Sequence, residues 1–294
     1  MSQPLKILIT GAGGQLGQAL LGSTPENMHV TGLGRSQLDI ADADAVRCTI
    51  NSIQPDVVIN AAAYTAVDKA ESEPAQAAAI NADGVRNLAL ALKSIQHGRL
   101  IHVSTDFIFD GRSSVPYPID AAANPLSVYG RTKHEAECIA RNVLNERALI
   151  MRTAWVYAST GKNFMLTMLR LMKERGEVRV VADQVGTPTS ANSLAAVLWQ
   201  CALRRELSGR FHWTDAGVAS WYDFAVAIAE EAVAMKLLAA MPKITPIATA
   251  DYPTPATRPA YSVLDKSEIY RQLNITPVHW REELRNVLGA LKHA

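Results

Sequence analysis

A glycine-rich segment near the start of the chain follows directly on an apolar run. Residues 5–10 read LKILIT and residues 11–17 read GAGGQLG, so that Gly11, Gly14 and Gly17 lie three positions apart. A short apolar run that ends at glycines is typical of a buried parallel strand, and residues 15–21 carry a helical pattern. The spacing GxxGxxG differs from the common GxGxxG, but it lies at the strand–helix junction where a dinucleotide pyrophosphate binds. Gly11 would make the tight turn, Gly14 would let a pyrophosphate approach, and Gly17 would let the helix pack closely.

The alternation of strand and helix continues through the first half of the chain. Further strands are predicted at residues 30–33, 56–60, 99–104 and 148–153, and helices at 42–53 and 74–96 and around residues 129–133. Strands that alternate with helices indicate a parallel sheet covered on both faces. We therefore predict an α/β fold, a Rossmann-type doubly wound sheet whose ligands lie at the carboxyl ends of the strands.

The second half has a looser pattern that predicts a smaller, mainly helical substrate-binding domain. Helices are predicted at 163–174, 193–203 and 219–238, strands at 178–181 and 209–213, and a proline-rich loop over the cleft at 242–259. We expect residues 1–157 to form the NAD(P)-binding domain, with residues 190–214 returning to its sheet. Residues 158–189 and 215–294 would then form the substrate-binding domain.

Composition excludes several classes of protein. The 294 residues are 48% hydrophobic and 19% charged, which is typical of a globular core. The net charge of +1 argues against nucleic-acid binding, and no apolar stretch is long enough to span a membrane. The first four residues lead directly into a strand and leave no room for a signal peptide. Since Cys48, Cys138 and Cys201 lie far apart, we expect buried free thiols and a soluble cytoplasmic protein.

The segment after the second strand bears on the choice of cofactor. A carboxylate at that strand end would bind the adenosine ribose and repel a 2′-phosphate. The chain instead has Arg35 and Ser36 there, which could accept a phosphate, although Arg35 could also be an ordinary solvated loop residue. We therefore expect NADPH to be preferred, with NADH as the alternative. Asp39 and Ile40 would suit an adenine contact, and the other reading of Asp39 is a turn or cap.

Tyr129 and Lys133 form a second candidate site. They are four residues apart, and on a helix this spacing places a phenol and an ammonium on one face. A nearby positive charge favours the ionised phenol and would make it a usable acid or base. On its own the spacing also arises by chance on solvated helices. Its meaning therefore depends on the segments around it.

Four features in order resemble the extended short-chain dehydrogenase/reductases: the glycine cluster, Asn60 with the three alanines after it, Ser104-Thr105-Asp106, and the pair Tyr129 and Lys133. Within that class the chain resembles the dTDP-4-dehydrorhamnose reductases. The segments that carry this resemblance are AYTAVDKAE at 63–71, STDFIFDG at 104–111, RTAWVY at 152–157, DQVGTPT at 183–189 and YPTPATRP at 252–259.

The resemblance implies the last step of dTDP-L-rhamnose synthesis, which supplies a polysaccharide precursor. A nicotinamide cofactor would deliver hydride to the C4 ketone of a dTDP-linked keto-sugar. Tyr129 would donate the proton, Lys133 would bind the nicotinamide ribose and favour ionisation of Tyr129, and Thr105 would hydrogen-bond the sugar.

Further contacts follow from the same resemblance. The cofactor contacts would be Gly11, Gly14, Gln15, Leu16, Gly17, Arg35, Asp39, Ile40, Ala61, Ala62, Ala63, Thr65, Tyr129 and Lys133. The substrate contacts would be Thr105, Asp106, Tyr129, Trp155 and Arg258. Trp155 would stack on the sugar or base and Arg258 would bind the diphosphate. The alternatives are a buried core residue for Trp155 and a surface ion pair for Arg258.

The resemblance also narrows the reaction. The related 4,6-dehydratases follow the Thr-Asp pair with a glutamate that eliminates water, whereas this chain has Phe107 after Asp106. Reduction is therefore favoured over dehydration. Three alternatives stay open: reduction of another nucleotide-linked 4-keto-sugar, epimerisation, and a non-catalytic regulatory subunit of the same fold.

No metal ion is expected. Some members of the family form a homodimer through Mg²⁺ held by glutamates, but the matching positions here are Ala19 and Asn192, which carry no carboxylate. A homodimer would therefore need another route. The segment from His134 to Cys138 does not have HExxH spacing, and we interpret it as a solvated helix face. Met165, Met168 and Met172 lie at helical spacing and are expected in the core.

Overall fold

A computed structural model describes residues 4–95 and 97–292. The strands of the first half are β1 (Leu5–Thr10), β2 (Met28–Leu33), β3 (Val57–Asn60), β4 (Arg99–Thr105), β5 (Ala148–Thr153) and β6 (Val156–Tyr157). The helices of the first half are α1 (Gln15–Gly22), α2 (Ala43–Ile53), α3 (Val67–Ser72), α4 (Pro74–Ala78), α5 (Gly84–Ser94) and α6 (Val128–Leu144). A π-helical turn, Ala79–Asp83, joins α4 to α5, so the predicted helix at 74–96 is one nearly continuous segment; its last position, Gln96, lies outside the described residues.

The second half contains more short strands than predicted. Its strands are β7 (Glu177–Val181), β8 (Val185–Gly186), β9 (Thr189–Ser190), β10 (Gly209–His212), β11 (Ala219–Ser220) and β12 (Lys243–Ile247). Its helices are α7 (Phe164–Arg175), α8 (Ala191–Leu203), α9 (Trp221–Ala234), α10 (Ser267–Leu273) and α11 (Trp280–Ala290).

The central sheet is parallel and doubly wound, as predicted. Its six strands within the described ranges have the order β10-β5-β4-β3-β1-β2. The chain first moves from β1 to β2, and then crosses to the other side of β1 to form β3. The switch point therefore lies between β1 and β3, at the carboxyl ends where such sheets bind ligands.

Buried apolar residues cover both faces of this sheet. One cluster joins strand side chains such as Ile9 and Ile59 to Leu20 on α1 and Leu198 on α8. The opposite cluster joins Leu8 and Val58 to Ile50 on α2, Leu88 on α5 and Ala140 on α6. Helix packing on both faces explains why the strands have nearly continuous apolar sequences.

A further core cluster lies outside the sheet. Methionines of α7 pack there against α9 and α11, and Met165, Met168 and Met172 are all buried, as expected. Strand β10 pairs in parallel with β5, so the chain re-enters the central sheet after α8.

Three sequence-based expectations were wrong. The loop at 242–259 begins with β12, which pairs in parallel with β7; Pro246 is compatible with this strand because β12 is at an edge. The helix at 219–238 begins only at Trp221, because Ser220 and Asp223 form a capping box there. All three cysteines are free, but Cys48 and Cys138 are exposed and only Cys201 is buried.

No helix in the described part of the chain is both long enough and apolar enough to cross a membrane.

Candidate functional site

The glycine turn after β1 is built by two close backbone approaches. Gly11 has a φ of 73°, and a Cβ on it would lie 2.5 Å from the amide nitrogen of Ala62 at the end of β3. A Cβ on Gly17 would lie 2.3 Å from the carbonyl oxygen of Gly11. Only glycine fits at these two positions. The turn thus lies at the switch point between β1 and β3.

The start of α1 fits an anionic group. Gly14 caps the helix without a side-chain acceptor, so the first-turn N–H groups are available to a ligand. A Cβ on Gly13 would meet no atom within 4 Å, which leaves open space beside the turn. These observations fit the pyrophosphate of a dinucleotide.

The other predicted cofactor residues differ in what they can contribute. Leu16 is buried in the sheet core, and Ile40 is 3% exposed and packs on Gly84, so neither presents much side-chain surface. Gln15 accepts a hydrogen bond from Asn163 Nδ2 at 2.8 Å, which links the glycine turn to α7. The segment from Ala61 to Thr65 follows β3 beside the turn, and Ala61 N donates to Thr10 O at 3.1 Å.

The end of β2 lies beside the glycine turn, so the residues that follow β2 can reach a cofactor bound at that turn. Ala12 N donates to Leu33 O at 3.1 Å, and Arg35 follows two residues later. The Arg35 side chain is 71% exposed and lies 3.8 Å from a carboxylate oxygen of Asp39. An exposed pair at this distance is weak, so a phosphate could replace it. Asp39 also accepts from Ala41 N at 3.0 Å, which is a turn-forming contact.

Tyr129 lies in the first turn of α6, close to the end of β4. Ser127 caps the helix by accepting from Gly130 N at 3.1 Å. A Cβ on Gly130 would lie 2.3 Å from Phe107 O, so glycine lets the helix contact the segment after β4. The rings of Phe107 and Tyr129 meet edge to face at 5.6 Å. These contacts bring Tyr129 to Thr105.

Thr105 and Asp106 complete this group. Thr105 Oγ1 accepts from Phe107 N at 3.2 Å and donates to Asp106 Oδ1 at 3.1 Å. Asp106 is 1% exposed, and its Oδ2 accepts no hydrogen bond from the residues that the structure describes. Burial raises the pKa of Asp106 to about 6, although the hydroxyls of Ser262 and Thr105 oppose the shift.

The pKa of Tyr129 differs from the sequence-based expectation. Burial of the phenol raises its pKa to about 12, while the nearby Thr105 hydroxyl lowers it in part and the charge of Asp106 raises it. The predicted lowering by Lys133 is wrong for this arrangement, because Lys133 Nζ donates to Val103 O at 2.6 Å and lies 3.2 Å from His102 Nε2. Burial lowers the pKa of Lys133 to about 7, against the opposing charge of Glu137.

Glu137 corrects the interpretation of residues 134–138 as a solvated face. It is 2% exposed and pairs with Arg152 on β5 at 2.7 Å. Ser104 Oγ donates to the same carboxylate at 2.5 Å. The pair connects α6 to β4 and β5. Among the described residues, no group of three or more His, Cys, Asp or Glu side chains could hold a metal ion.

Trp155 stacks its ring on that of another tryptophan, Trp221. Its ring is parallel to that of Trp221 with centroids 3.6 Å apart, and its backbone has a φ of 48°. A Cβ on Gly186 would lie 2.7 Å from the Trp155 ring, so Gly186 makes room for it. Trp155 is partly buried, and one face of its ring is covered by Trp221.

Arg258 forms an ion pair with Asp68 of α3. The distance from Nη2 to Asp68 Oδ2 is 2.8 Å, and this contact lowers the pKa of Asp68. Arg258 also lines a cavity of about 890 Å³ between α7, β7 and the 252–258 segment, together with Trp221 and Tyr252. The site therefore combines aromatic rings with a guanidinium.

Several residues of the site were not found from the sequence. They are Asp68, His102, Gly130, Glu137, Trp221 and Asn60, for whose side chain the sequence predicted no role. His102 had a usable signal, because a histidine inside the apolar run RLIHVS is a polar residue in a buried strand. The others depend on contacts between distant segments.

The parallel sheet, its glycine turn and the Tyr–Lys helix beside Thr105 place the chain among the extended short-chain dehydrogenase/reductases, a class of NAD(P)-binding proteins. The family model described as "RmlD substrate binding domain" matches residues 5–293. The chain belongs to this family.

Individual relatives agree with this assignment. The chain is 44% identical to a dTDP-4-dehydrorhamnose reductase of Aggregatibacter actinomycetemcomitans, over 96% of this chain and 98% of the relative. It is similar to the crystal structure of a dTDP-4-dehydrorhamnose reductase from Clostridium acetobutylicum, with a TM-score of 0.91, 40% identity and coverage of 98% and 100%. A Bacillus anthracis dTDP-4-dehydrorhamnose reductase, solved in complex with NADP, has a TM-score of 0.90, 33% identity and coverage of 97% and 99%.

Proposed function

We propose that the protein reduces the C4 ketone of dTDP-4-dehydro-β-L-rhamnose to dTDP-β-L-rhamnose with NADPH. The observation that carries this proposal is the packing of the first turn of α6 on the segment after β4, which brings the Tyr129 phenol close enough to Thr105 to affect the pKa of the phenol. This arrangement would put a proton donor and a second hydroxyl beside the bound cofactor, as carbonyl reduction requires. The family and the named relatives support the same reaction.

Tyr129 is the proposed proton donor. With a pKa of about 12 the phenol carries its proton at neutral pH, and the alkoxide that forms at C4 is a stronger base than phenolate. NADPH, when bound, supplies the hydride. Thr105 hydrogen-bonds the reacting oxygen and holds Tyr129 in place. Asp106 Oδ2 is a buried acceptor for a sugar hydroxyl.

The cofactor residues have separate proposed roles. The backbone at Gly11, Gly14 and Gly17 and the N-terminus of α1 hold the pyrophosphate, with Gln15 and Leu16 in the first turn. Ala61, Ala62, Ala63 and Thr65 border the nicotinamide side, and Asp39 and Ile40 border the adenine. Arg35 would exchange its weak pair with Asp39 for the 2′-phosphate, and Lys133 would bind the nicotinamide ribose.

The substrate is proposed to be a dTDP-linked keto-sugar that lies across the cleft. Trp155 would contact the sugar or base from its stack with Trp221, and Arg258 would leave Asp68 to bind the diphosphate. The cavity lined by Trp221, Tyr252 and Arg258 is suited to the nucleotide. Residues 1–157 with 190–214 would bind the cofactor, and residues 158–189 and 215–294 the substrate. We propose a cytoplasmic enzyme without a metal ion, and any homodimer would not use Ala19 and Asn192 as ligands.

Incubation with NADPH, NADH and enzymatically prepared dTDP-keto-sugar tests the reaction. We expect NADPH to be oxidised in a one-to-one ratio with product and its kcat/KM to exceed that of NADH. An Arg35→Ala variant should lose most of this preference, while Arg47→Ala on the outer face of α2 should keep it. If product forms without net oxidation of NADPH, the result would favour an epimerase. If no product forms at all, it would favour a regulatory subunit.

A further inference from the structure

A buried polar chain connects β1 to Lys133. Thr10 Oγ1 donates to Asn60 Oδ1 at 2.6 Å, Asn60 Nδ2 contacts His102 Nδ1 at 3.0 Å, and His102 Nε2 lies 3.2 Å from Lys133 Nζ. Thr10, Asn60 and His102 are fully buried and Lys133 is 2% exposed. Because these groups are buried away from bulk water, we expect each contact to be a correctly paired donor and acceptor.

The orientation of the Asn60 amide is fixed by the backbone. Ala62 N donates to Asn60 Oδ1 at 3.1 Å, and a backbone N–H can only donate. The amide oxygen therefore faces Ala62, and the amide nitrogen faces His102. Since the amide nitrogen can only donate, His102 Nδ1 has to accept.

The proton of His102 is consequently on Nε2. Burial and the nearby Lys133 lower the pKa of His102 well below 6.5, so the imidazole is neutral and carries one N–H. With Nδ1 as acceptor, that N–H is on Nε2 and points to Lys133 Nζ. An ammonium has no lone pair, so this contact is a hydrogen bond only when Lys133 is a neutral amine.

The other neighbours of Lys133 are consistent with this assignment. Its Nζ can donate to Val103 O in either charge state. The titratable groups nearby are His102 on β4, Tyr129 and Glu137 on α6, and Arg152 on β5, and the Glu137 carboxylate is taken up by Arg152 and Ser104. The lowered pKa of Lys133, about 7, agrees with an amine that is easily neutral here.

We propose that His102 is a positioning residue for Lys133. It hydrogen-bonds Lys133 only while Lys133 is a neutral amine. When Lys133 takes a proton from water, His102 repels the resulting ammonium toward the bound cofactor. This rests on the proposed function in one respect, the cofactor contact of Lys133. Asn60 then acts through His102 by fixing its tautomer. The result is a link between the charge of Lys133 and its position.

The tautomer is testable without substrate or turnover. In protein with ¹⁵N-labelled histidine, long-range ¹H–¹⁵N correlation should show the His102 lone pair on Nδ1 and the proton on Nε2. In Asn60→Asp the carboxylate can only accept, so the proton should move to Nδ1. A wild-type His102 with its proton on Nδ1, or with two protons, would overturn the proposal.

The effect on Lys133 is tested by the pH dependence of cofactor binding, followed by NADPH fluorescence. Affinity should weaken as pH rises through about 7, the pKa of Lys133. His102→Gln presents an amide oxygen that accepts from the ammonium, so the midpoint should rise by about one pH unit or more. Parallel titration with NADH removes any contribution of the 2′-phosphate.

His134→Gln, at a partly buried histidine of the same helix whose side chain contacts Cys138, is the control and should leave the midpoint unchanged. Equal midpoints for wild type and His102→Gln would overturn the proposal, even if the protein reduces the keto-sugar as proposed above. Failure of that reduction with the expected tautomer and midpoint shift would instead overturn only the proposed function.

Discussion

Gly130 in the first turn of α6 packs directly against the carbonyl oxygen of Phe107. A Cβ added at Gly130 would lie only 2.3 Å from that oxygen. This contact brings the helix that carries Tyr129 to the strand end that carries Thr105. Gly130→Ala should push the helix away, lower kcat strongly and reduce stability by roughly 1–3 kcal/mol. Gly289→Ala in α11 is the matched control, since its Cβ meets nothing within 4 Å, and it should be neutral or stabilising by up to about 1 kcal/mol. Equal activity in the two variants would contradict this account.

The glycine turn offers a second matched pair. Gly11→Ala places a Cβ 2.5 Å from Ala62 N at a φ of 73°, so we expect loss of NADPH binding and a lower melting temperature. Gly13→Ala has open space around the new methyl group and should fold as stably as wild type. Calorimetry of unfolding and of NADPH binding measures both effects. Wild-type affinity in Gly11→Ala would refute the proposed position of the pyrophosphate.

The buried pair of Arg152 and Glu137 should be far more important for stability than a surface pair. Arg152→Ala leaves a buried carboxylate without its partner and should cost about 3–5 kcal/mol in the free energy of unfolding. Arg170→Ala removes an exposed pair with Glu174 one turn away and should cost about 0.3–0.5 kcal/mol. Urea denaturation compares the two. Similar losses would mean that the Glu137 carboxylate finds another partner.

Asp106 predicts a pH dependence of stability. Its pKa is raised from 3.8 to about 6, so the folded state holds the proton more tightly than the unfolded state. The stabilisation that protonated Asp106 gives to the folded state is therefore complete below about pH 4 and is lost as pH rises through about 6. For a two-unit shift in pKa, the free energy of unfolding falls by up to roughly 3 kcal/mol. Asp106→Asn should gain stability relative to wild type over this interval. A difference that does not change with pH would contradict the raised pKa.

Local patterns were sufficient to predict the sheet and the glycine turn. An apolar run that ends at Gly11 and an i, i+4 pair at Tyr129 and Lys133 are encoded within a few residues, and the structure places both as expected at the carboxyl side of the sheet. The strand β12 was missed because its stability comes from pairing with β7, more than 60 residues away, and because Pro246 suggested a loop.

The buried contacts inside the site could not be predicted from local sequence patterns. Glu137 was taken for a solvated residue because its partner Arg152 is on another strand, and the partners of Lys133 on β4 are likewise distant in sequence. These contacts are decided by which strands are neighbours in the sheet. The effect of Lys133 on the pKa of Tyr129 was mispredicted for the same reason.

Transfer of deuterium from NADPH that carries deuterium at both C4 positions of the nicotinamide tests the central claim most directly. With dTDP-4-dehydro-β-L-rhamnose, wild type should give a product with one deuterium at C4 of the sugar, detected by mass spectrometry and proton NMR. Tyr129→Phe should bind NADPH normally but form this product roughly 10²–10⁴-fold more slowly. A product without deuterium at C4, or wild-type rates in Tyr129→Phe, would contradict reduction with Tyr129 as the proton donor.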